Sequence, residues 1–341
     1  MYHLIKENSE PQYQSLPKIL ASEEYIACDT EFERYSTYFP VPSLLQIAAS
    51  DQTYIIDLTT VTDHRPLKEI FSNNKLLKIL HSGRQDFEIL LRLGINPTNL
   101  FDSQVAMSFI GLYAKQSFEV LIRELLGEEI DKSQQNSDWM KRPLSKKQLE
   151  YAAKDVILLR QCYPKLATAL GAKYKDCMED CEELIYNRAN FRINYQKQFG
   201  QFAHSLTKLE DIILAYHLVC YREDKAAKEN VVRHRILRND TIFDMINKRI
   251  FPAEITRYLE SASDKDAKIA IELYEKQVKI SRTRFDPKLT ALQKQLAEVA
   301  NEVGLPSVLI ASKKDLLRYI NGIPCKLDKG WRLKLMKQVK L

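Results

Sequence analysis

Two acidic residues at the end of a short apolar run constrain the fold more than any other feature of the chain. The run Tyr25–Cys28 predicts a buried β-strand, and Asp29 and Glu31 follow it one residue apart. Because side chains alternate along a strand, both carboxylates are expected on one face, with Thr30 and Phe32 on the other. This geometry suits metal binding, although an isolated pair of this kind also fits a solvated edge strand.

Two further carboxylates occur at spacings that can be interpreted physically. After the apolar run 76–80, the pattern predicts a strand, a short turn and an amphipathic helix, with Asp86 in its first turn. A second helix begins with a capping box at Ser145 and carries Tyr151 and Asp155 four residues apart. These two side chains therefore share one helix face and can reach the same pocket.

Each of these residues also has a simpler structural explanation. Asp86 could be favoured at a helix N-terminus by the dipole, Asp155 could be a solvated helix residue, and Tyr151 could be a core aromatic. Four carboxylates packed together repel one another strongly unless cations are present. Such a cluster would destabilise the fold without cations, whereas it is expected at a metal site. The four residues together therefore favour a functional interpretation over a structural one.

Three spaced patterns together resemble the DEDD superfamily of 3′-5′ exonucleases, in the subgroup with tyrosine. They are Asp29-x-Glu31, His81-x4-Asp86 and Tyr151-x3-Asp155. Longer stretches resemble the ribonuclease D family more specifically, and they span residues 29–34, 44–47 and 138–156. The resemblance implies an α/β ribonuclease-H-like exonuclease domain, in which helices flank a mixed sheet that is antiparallel at first and parallel afterwards.

The resemblance also implies a role for each residue in a site that holds two divalent ions, Mg²⁺ or Mn²⁺. Asp29 would bridge the ions, Glu31 and Asp155 would help hold the one that activates water, and Asp86 would support the other. Hard ions of this kind take oxygen ligands and can lie about 3.5–4 Å apart at a phosphodiester. Tyr151 would orient the attacking water, because a phenol that titrates near 10 is a poor base at neutral pH.

Candidate substrate-binding residues flank the catalytic set. They are Phe32, Arg34, Gln46, Trp139 and Arg142. Aromatic and arginine side chains stack on or grip nucleotides in single-strand channels. The alternatives are that Phe32 belongs to the core and that Trp139 packs before the catalytic helix. The role of His81 stays open, since a histidine at a strand end is often a structural hydrogen-bonding group.

The chain is predicted to divide into four parts. Residues 1–170 form the exonuclease domain and 171–205 a helical connector, because strand signals stop near Leu170. Residues 206–286 resemble an HRDC domain, the small helical bundle shared with RecQ-type helicases, and 287–341 resemble a second, more divergent HRDC-like helical domain. The first match departs from the usual pattern at Asn230–Arg233, where a proline is common.

Charge and cysteine usage favour a cytoplasmic nucleic-acid enzyme. The net charge is +6, and nine basic residues against two acidic ones lie between Lys313 and Leu341, which suits either phosphate binding or a solvated helix face. No secretory signal pattern and no run of eighteen apolar residues is present, so no membrane association is expected. The six cysteines are scattered, and the pair Cys177 and Cys181 lacks partners for a zinc site.

The sequence therefore predicts a metal-dependent 3′-5′ exoribonuclease that releases 5′-mononucleotides. By resemblance, its partner is RNA, with precursor tRNA carrying an unpaired 3′ end as the expected substrate, and no obligate protein partner is inferred. Two alternatives remain: a DNA exonuclease of the proofreading type, and an inactive RNA-binding module.

Overall fold

The computed structural model describes residues 2–113, 116–131, 133–202 and 205–339. It contains two compact units. The first unit comprises Met1–Arg34 and Pro40–Arg188, and the second comprises Tyr35–Phe39 and Ala189–Leu341. The predicted connector 171–205 is divided between them, because residues up to Arg188 belong to the first unit.

A six-stranded mixed sheet forms the centre of the first unit. Its strands are β1 (Tyr2–Ile5), β2 (Tyr25–Glu33), β3 (Val41–Ala48), β4 (Thr53–Asp57), β5 (Leu77–Leu80) and β6 (Leu100–Asp102). The order across the sheet is β1-β4-β3-β2-β5-β6. Strands β2, β3 and β4 pair antiparallel, whereas β5 and β6 continue the sheet in parallel from β2. The predicted change from antiparallel to parallel pairing is confirmed.

Strand β2 lies inside the sheet, and it runs further than the apolar residues alone predict. Ile26, Ala27 and Cys28 are fully buried, and pairing with β3 continues to Glu33, through both acidic residues. The register shifts between Glu31 and Phe32, and such a bulge re-aims the side chains that follow it. The strand thus delivers two carboxylates to one face and then changes direction.

Helices cover the sheet of the first unit. They are α1 (Pro11–Leu20), α2 (Arg65–Ser72), α3 (Arg84–Arg92), α4 (Ser103–Phe109), α5 (Phe118–Leu126), α6 (Lys146–Leu170) and α7 (Tyr174–Asp180). Helix α6 begins with the predicted capping box, in which Ser145 and Gln148 bond each other's backbone N–H groups. Its buried face includes Leu149, Ala152 and Ala153, which pack on Leu44 and other buried residues of the sheet.

All regular secondary structure in the described residues of the second unit is helical. Its helices are α8 (Tyr195–Phe199), α9 (Leu209–Glu229), α10 (Arg233–Ile236), α11 (Asn239–Lys248), α12 (Ala253–Glu260), α13 (Asp264–Arg282), α14 (Pro287–Glu302), α15 (Ser307–Ile310), α16 (Lys313–Ile320) and α17 (Gly330–Met336). The predicted fold class, a mixed sheet with helices followed by a helical region, is confirmed, whereas the HRDC assignments stay predictions.

Not all of the basic residues near the C-terminus are free to bind phosphate. The guanidinium of Arg332 is buried and donates to the carbonyls of Leu309 and Ile310, at 2.9 and 3.0 Å. Arg318 likewise donates to the carbonyl of Pro324 at 2.6 Å. Lys340 lies outside the described residues.

In the described residues, no helix is both long and apolar enough to cross a bilayer. All six cysteines are free, with Cys325 partly exposed and the other five buried.

Candidate active site

Four of the five predicted catalytic residues line one cavity of the first unit. The cavity has a volume of about 210 Å³ and is lined by Asp29, Glu31, His81, Phe118, Gln135, Tyr151, Asp155 and Leu159. Strand β2 supplies the first two carboxylates, and α6 supplies the phenol and the third carboxylate one helical turn apart. The expectation that these side chains share a pocket is confirmed, while their catalytic roles stay predictions.

Asp86 does not line this cavity; it lies in the first turn of α3, where its charge acts on both Asp29 and Glu31. Its side chain is only 6% exposed, and the Thr30 hydroxyl donates to its Oδ1 at 2.5 Å. Thr30, which lies between Asp29 and Glu31 in the chain, thus binds the fourth carboxylate. Sequence reasoning missed this role, because a contact across 56 residues has no local signal.

Burial raises the pKa values of all four carboxyl groups, and the charges of other carboxylates in the set add to this at Asp29 and Glu31. Burial, followed by the charges of its acidic neighbours, raises the pKa of Asp29 well above its usual range. Burial and then the charges of Asp155 and Asp86 raise the pKa of Glu31 to about 9. Burial also raises the pKa of Asp86 to about 6, even though Thr30 donates to it, and the pKa of Asp155 to about 7. Such pKa shifts are commonest at functional sites, where like charges lie close together despite their repulsion.

The donor set fits hard divalent cations by its chemistry. Carboxylate oxygens are the ligands that Mg²⁺ and Mn²⁺ prefer, and a cation would relieve the mutual repulsion. Across the described ranges, however, no group of three or more His, Cys, Asp or Glu side chains is arranged to hold a metal ion as it stands. Ligation therefore requires the carboxylates to turn toward the ions.

Tyr151 is directed at the carboxylates and not at bulk solvent. Its hydroxyl is hydrogen-bonded to the side chain of Asp155, and burial together with the negative charge of Asp155 raises its pKa further above 10. A neutral phenol is thus maintained at any physiological pH, which fits a group that positions water and does not fit a phenolate base.

Two of the predicted substrate-binding residues are half-exposed near the bulge. Phe32 directly follows the register shift of β2, and Arg34 donates to the carboxylate of Glu88 on α3 at 2.9 Å. Arg92 lies on the other oxygen of Glu88 at 3.6 Å. An RNA contact by Arg34 therefore competes with this ion pair, and both assignments stay predictions.

The other three predicted substrate-binding residues are held inside the protein. Arg142 forms a bidentate ion pair with Asp57 at 2.7 Å for each contact, and the carbonyl of Trp139 accepts a third bond from it. The indole of Trp139 is 5% exposed and packs 6.2 Å from the ring of Tyr151. Gln46 is fully buried directly opposite Asp29, and neither amide atom has a hydrogen-bond partner among the described residues. These contacts favour a supporting role, and direct contact with substrate stays a prediction.

His81 lines the cavity but is also held by structural partners. Its Nδ1 lies 2.9 Å from the hydroxyl of Ser103, and its ring packs 5.3 Å from Phe118. Burial lowers its pKa, which favours the neutral imidazole. Phe118 and Gln135 line the same cavity and were not predicted, since neither carries a sequence pattern tied to chemistry.

Comparison with known proteins identifies the class of the first unit. The family described as 3′-5′ exonuclease matches residues 2–171, which includes all four carboxylates and Tyr151. The first unit is therefore a 3′-5′ exonuclease domain.

Relatives extend this relationship to most of the chain. Ribonuclease D of Acidiphilium cryptum is 31% identical over 93% of this chain and 86% of that protein. Ribonuclease D of Nitrobacter hamburgensis is also 31% identical, over 66% of this chain and 60% of that protein. The chain belongs to the ribonuclease D family, and its enzyme class is 3′-5′ exoribonuclease. The crystal structure of Escherichia coli RNase D, which is 24% identical, matches with a TM-score of 0.80 over 99% of this chain and 97% of that one and shows the shared fold.

Proposed function

We propose that this enzyme removes nucleotides from the 3′ end of RNA and releases 5′-mononucleotides in a reaction that depends on two divalent ions. The observation that carries the proposal is the convergence of Asp29, Glu31, Asp155 and Tyr151 on one cavity, with the buried Asp86 close enough for its charge to act on Asp29 and Glu31. Four carboxyl groups whose pKa values are raised by burial, with repulsion from neighbouring carboxylates added at Asp29 and Glu31, are hard to explain as structure and are the donor set that such ions require.

Each residue has a distinct task in this proposal. Asp29, between the other acids, would contact both ions, Glu31 and Asp155 would hold one of them, and Asp86 would support the other. When bound, the ions neutralise charge on the phosphoryl oxygens and lower the pKa of the attacking water. Tyr151 would hold that water through its hydroxyl, which is already oriented by Asp155.

We further propose precursor tRNA with an unpaired 3′ end as a substrate. The related Escherichia coli protein is described as an exoribonuclease involved in structured RNA processing. Exposed lysines on α16, on α17 and beside them could contact the phosphates of a folded RNA. They are Lys313, Lys314, Lys329, Lys334 and Lys337.

The direct test is to incubate the full-length protein with a 3′-extended tRNA and a DNA strand of the same 3′ sequence. Each is assayed in EDTA, Mg²⁺ or Mn²⁺, and the products are resolved to single nucleotides. We expect metal-dependent shortening of the RNA from its 3′ end, with mononucleotide products. Asp155→Asn, assayed in parallel, should leave the RNA intact.

The other results have clear meanings. Equal trimming of the DNA would replace the proposal by a DNA exonuclease, because recognition of the 2′-hydroxyl separates the two substrates. Binding of the tRNA without cleavage in any metal would identify an inactive RNA-binding module.

A further inference from the structure

A buried carboxylate outside the catalytic cavity organises the turn from which α3 starts. Asp102 ends β6, is 1% exposed, and caps α4 by accepting from the N–H groups of Gln104 and Val105 at 2.9 and 3.4 Å. Capping alone would use one oxygen of this side chain. The second oxygen of Asp102 accepts hydrogen bonds from other parts of the first unit, and the first oxygen accepts one more.

The same carboxylate holds the turn between β5 and α3. The N–H of Ser82 donates to its Oδ1 at 3.1 Å, and the N–H of Gly83 donates to its Oδ2 at 2.9 Å. Ser82 has a φ of 55°, a left-handed conformation that needs local support in a residue other than glycine. Gly83 is the N-cap of α3 and has no side chain with which to cap it, and Asp86 follows three residues later.

A tyrosine that follows α6 and α7 in the chain also binds the carboxylate of Asp102. The hydroxyl of Tyr186 donates to Oδ2 of Asp102 at 2.9 Å, and its ring packs 5.2 Å from that of Phe87, the neighbour of Asp86. A Cβ on Gly83 would lie 2.7 Å from this hydroxyl and 2.6 Å from Cβ of Leu80. Tyr186 therefore reaches Asp102 only because residue 83 is a glycine.

We propose that Asp102 and Tyr186 are positioning residues for Asp86, and that together they set the affinity of the site for its second divalent ion. Asp102 fixes the backbone from which α3 begins, and Tyr186 holds both Asp102 and the first turn of that helix. The inference rests on the proposed function, in which Asp86 supports that ion. Residues that orient a ligand from behind typically change metal affinity about 10- to 100-fold when they are lost.

The test compares Mn²⁺ binding and catalysis in full-length Tyr186→Phe. This variant keeps the ring on Phe87 and removes only the hydroxyl. Calorimetric titration with MnCl₂ should show roughly 10-fold weaker binding of one ion. At saturating Mn²⁺, the kcat and the KM for RNA should return to within about 2-fold of wild type, because the catalytic groups themselves are intact.

A matched control comes from Tyr174, whose hydroxyl lies 2.9 Å from that of Tyr163 in the same unit. Tyr174→Phe makes the same chemical change at a hydroxyl that pairs with Tyr163 and not with Asp102, and it should leave the Mn²⁺ titration unchanged. A second variant, Gly83→Ala, has a compatible backbone with φ at −70°, so its effect would come from the close contacts of the new Cβ with the Tyr186 hydroxyl and with Leu80. It should weaken Mn²⁺ binding in the same direction.

Asp86→Asn separates failure of this inference from failure of the proposed function. If Asp86→Asn binds Mn²⁺ as wild type does, Asp86 supports no ion and both proposals are overturned. If Asp86→Asn weakens binding while Tyr186→Phe and Gly83→Ala both titrate like wild type, the positioning role alone is overturned. Weakening by all three, with Tyr174→Phe unchanged, supports it.

Discussion

The first unit gathers like charges at one cavity, whereas the second unit buries a pair of opposite charges. In the first unit, Asp29, Glu31 and Asp155 line the cavity and Asp86 lies near them, and burial raises all four pKa values, with repulsion from neighbouring carboxylates added at Asp29 and Glu31. In the second unit, Arg222 and Glu223 are 1% and 0% exposed, and their Nε and Oε1 atoms lie 3.0 Å apart. Burying like charges together costs stability, so such a cluster indicates a site for a bound cation. Burying opposite charges is tolerated because the two charges pair.

The buried pair of the second unit is also supported by neighbours. Arg233 donates to Glu223 at 3.2 Å, and the Tyr38 hydroxyl donates to its other oxygen at 2.8 Å. Arg222 donates in turn to the side-chain oxygen of Asn239 at 2.7 Å. Each charge thus has partners inside the unit, which is the pattern of a structural network and differs from that of the catalytic cavity.

The largest expected effect tests the catalytic side of this comparison. Asp29→Asn should reduce kcat at least about 1000-fold, because it removes the carboxylate that would contact both ions. RNA affinity, measured by filter binding in Ca²⁺, should stay within a few-fold of wild type. A parallel loss of binding and cleavage would mean that Asp29 acts on the RNA or on the fold and not on metal.

The second prediction tests the structural side. Glu223→Gln should lower the free energy of unfolding by about 3–5 kcal/mol, because Arg222 would be left buried without its anion. Urea unfolding of the full-length protein measures this directly. An unchanged midpoint would show that the pair contributes nothing, and Glu229→Gln, at an exposed residue of the same helix, serves as the control.

Tyr151→Phe should have an intermediate effect within the catalytic cavity. We expect kcat to fall roughly 10- to 1000-fold with the KM for RNA nearly constant, since the hydroxyl positions water and does not hold the substrate. Single-turnover cleavage of a short oligonucleotide at saturating Mn²⁺ isolates this step. Wild-type rates in that assay would exclude a role for the hydroxyl.

The smallest effect concerns stability and has an unusual sign. Asp155→Asn should raise the free energy of unfolding of the metal-free protein at pH 8 by about 1–2 kcal/mol, because it removes a buried like charge. The folded protein holds the pKa of Asp155 at about 7, so it favours the neutral carboxyl. The contribution of that neutral group to folding stability is complete below about pH 4 and is lost as the pH rises through 7. Urea unfolding in EDTA should therefore show wild type losing stability from pH 5 to pH 8, and the variant losing less. Equal pH dependence in the two proteins would contradict this account.

Local signals in the sequence were sufficient to predict the elements that carry the proposed catalytic residues. The alternation at Asp29 and Glu31, the capping box at Ser145 and the four-residue spacing of Tyr151 and Asp155 each depend on a few neighbouring positions. The short strands β1 and β6 were not predicted, because four and three residues are too few for a periodic pattern.

Contacts between distant residues were beyond reach of the sequence. The bond from Thr30 to Asp86 and the bond from Tyr186 to Asp102 span 56 and 84 residues. Arg142 shows the same limit, because an arginine beside a catalytic helix fits RNA binding and an ion pair equally well until its partner Asp57 is seen. The residue type determines which interactions a side chain can make, whereas the fold determines which partner it contacts.

The segment Tyr35–Phe39 has a practical consequence for anyone who would divide this protein. It follows the strand of Asp29 and Glu31 by one residue, yet it belongs to the second unit, where the N–H of Phe39 donates to Asn230 at 2.9 Å. The chain passes between the units at three places, so no single cut yields an intact catalytic fragment. A truncation after Arg188 would remove Glu223 and Asn230, to which Tyr38 and Phe39 are hydrogen-bonded, so a loss of activity would report that damage as well as the missing second unit.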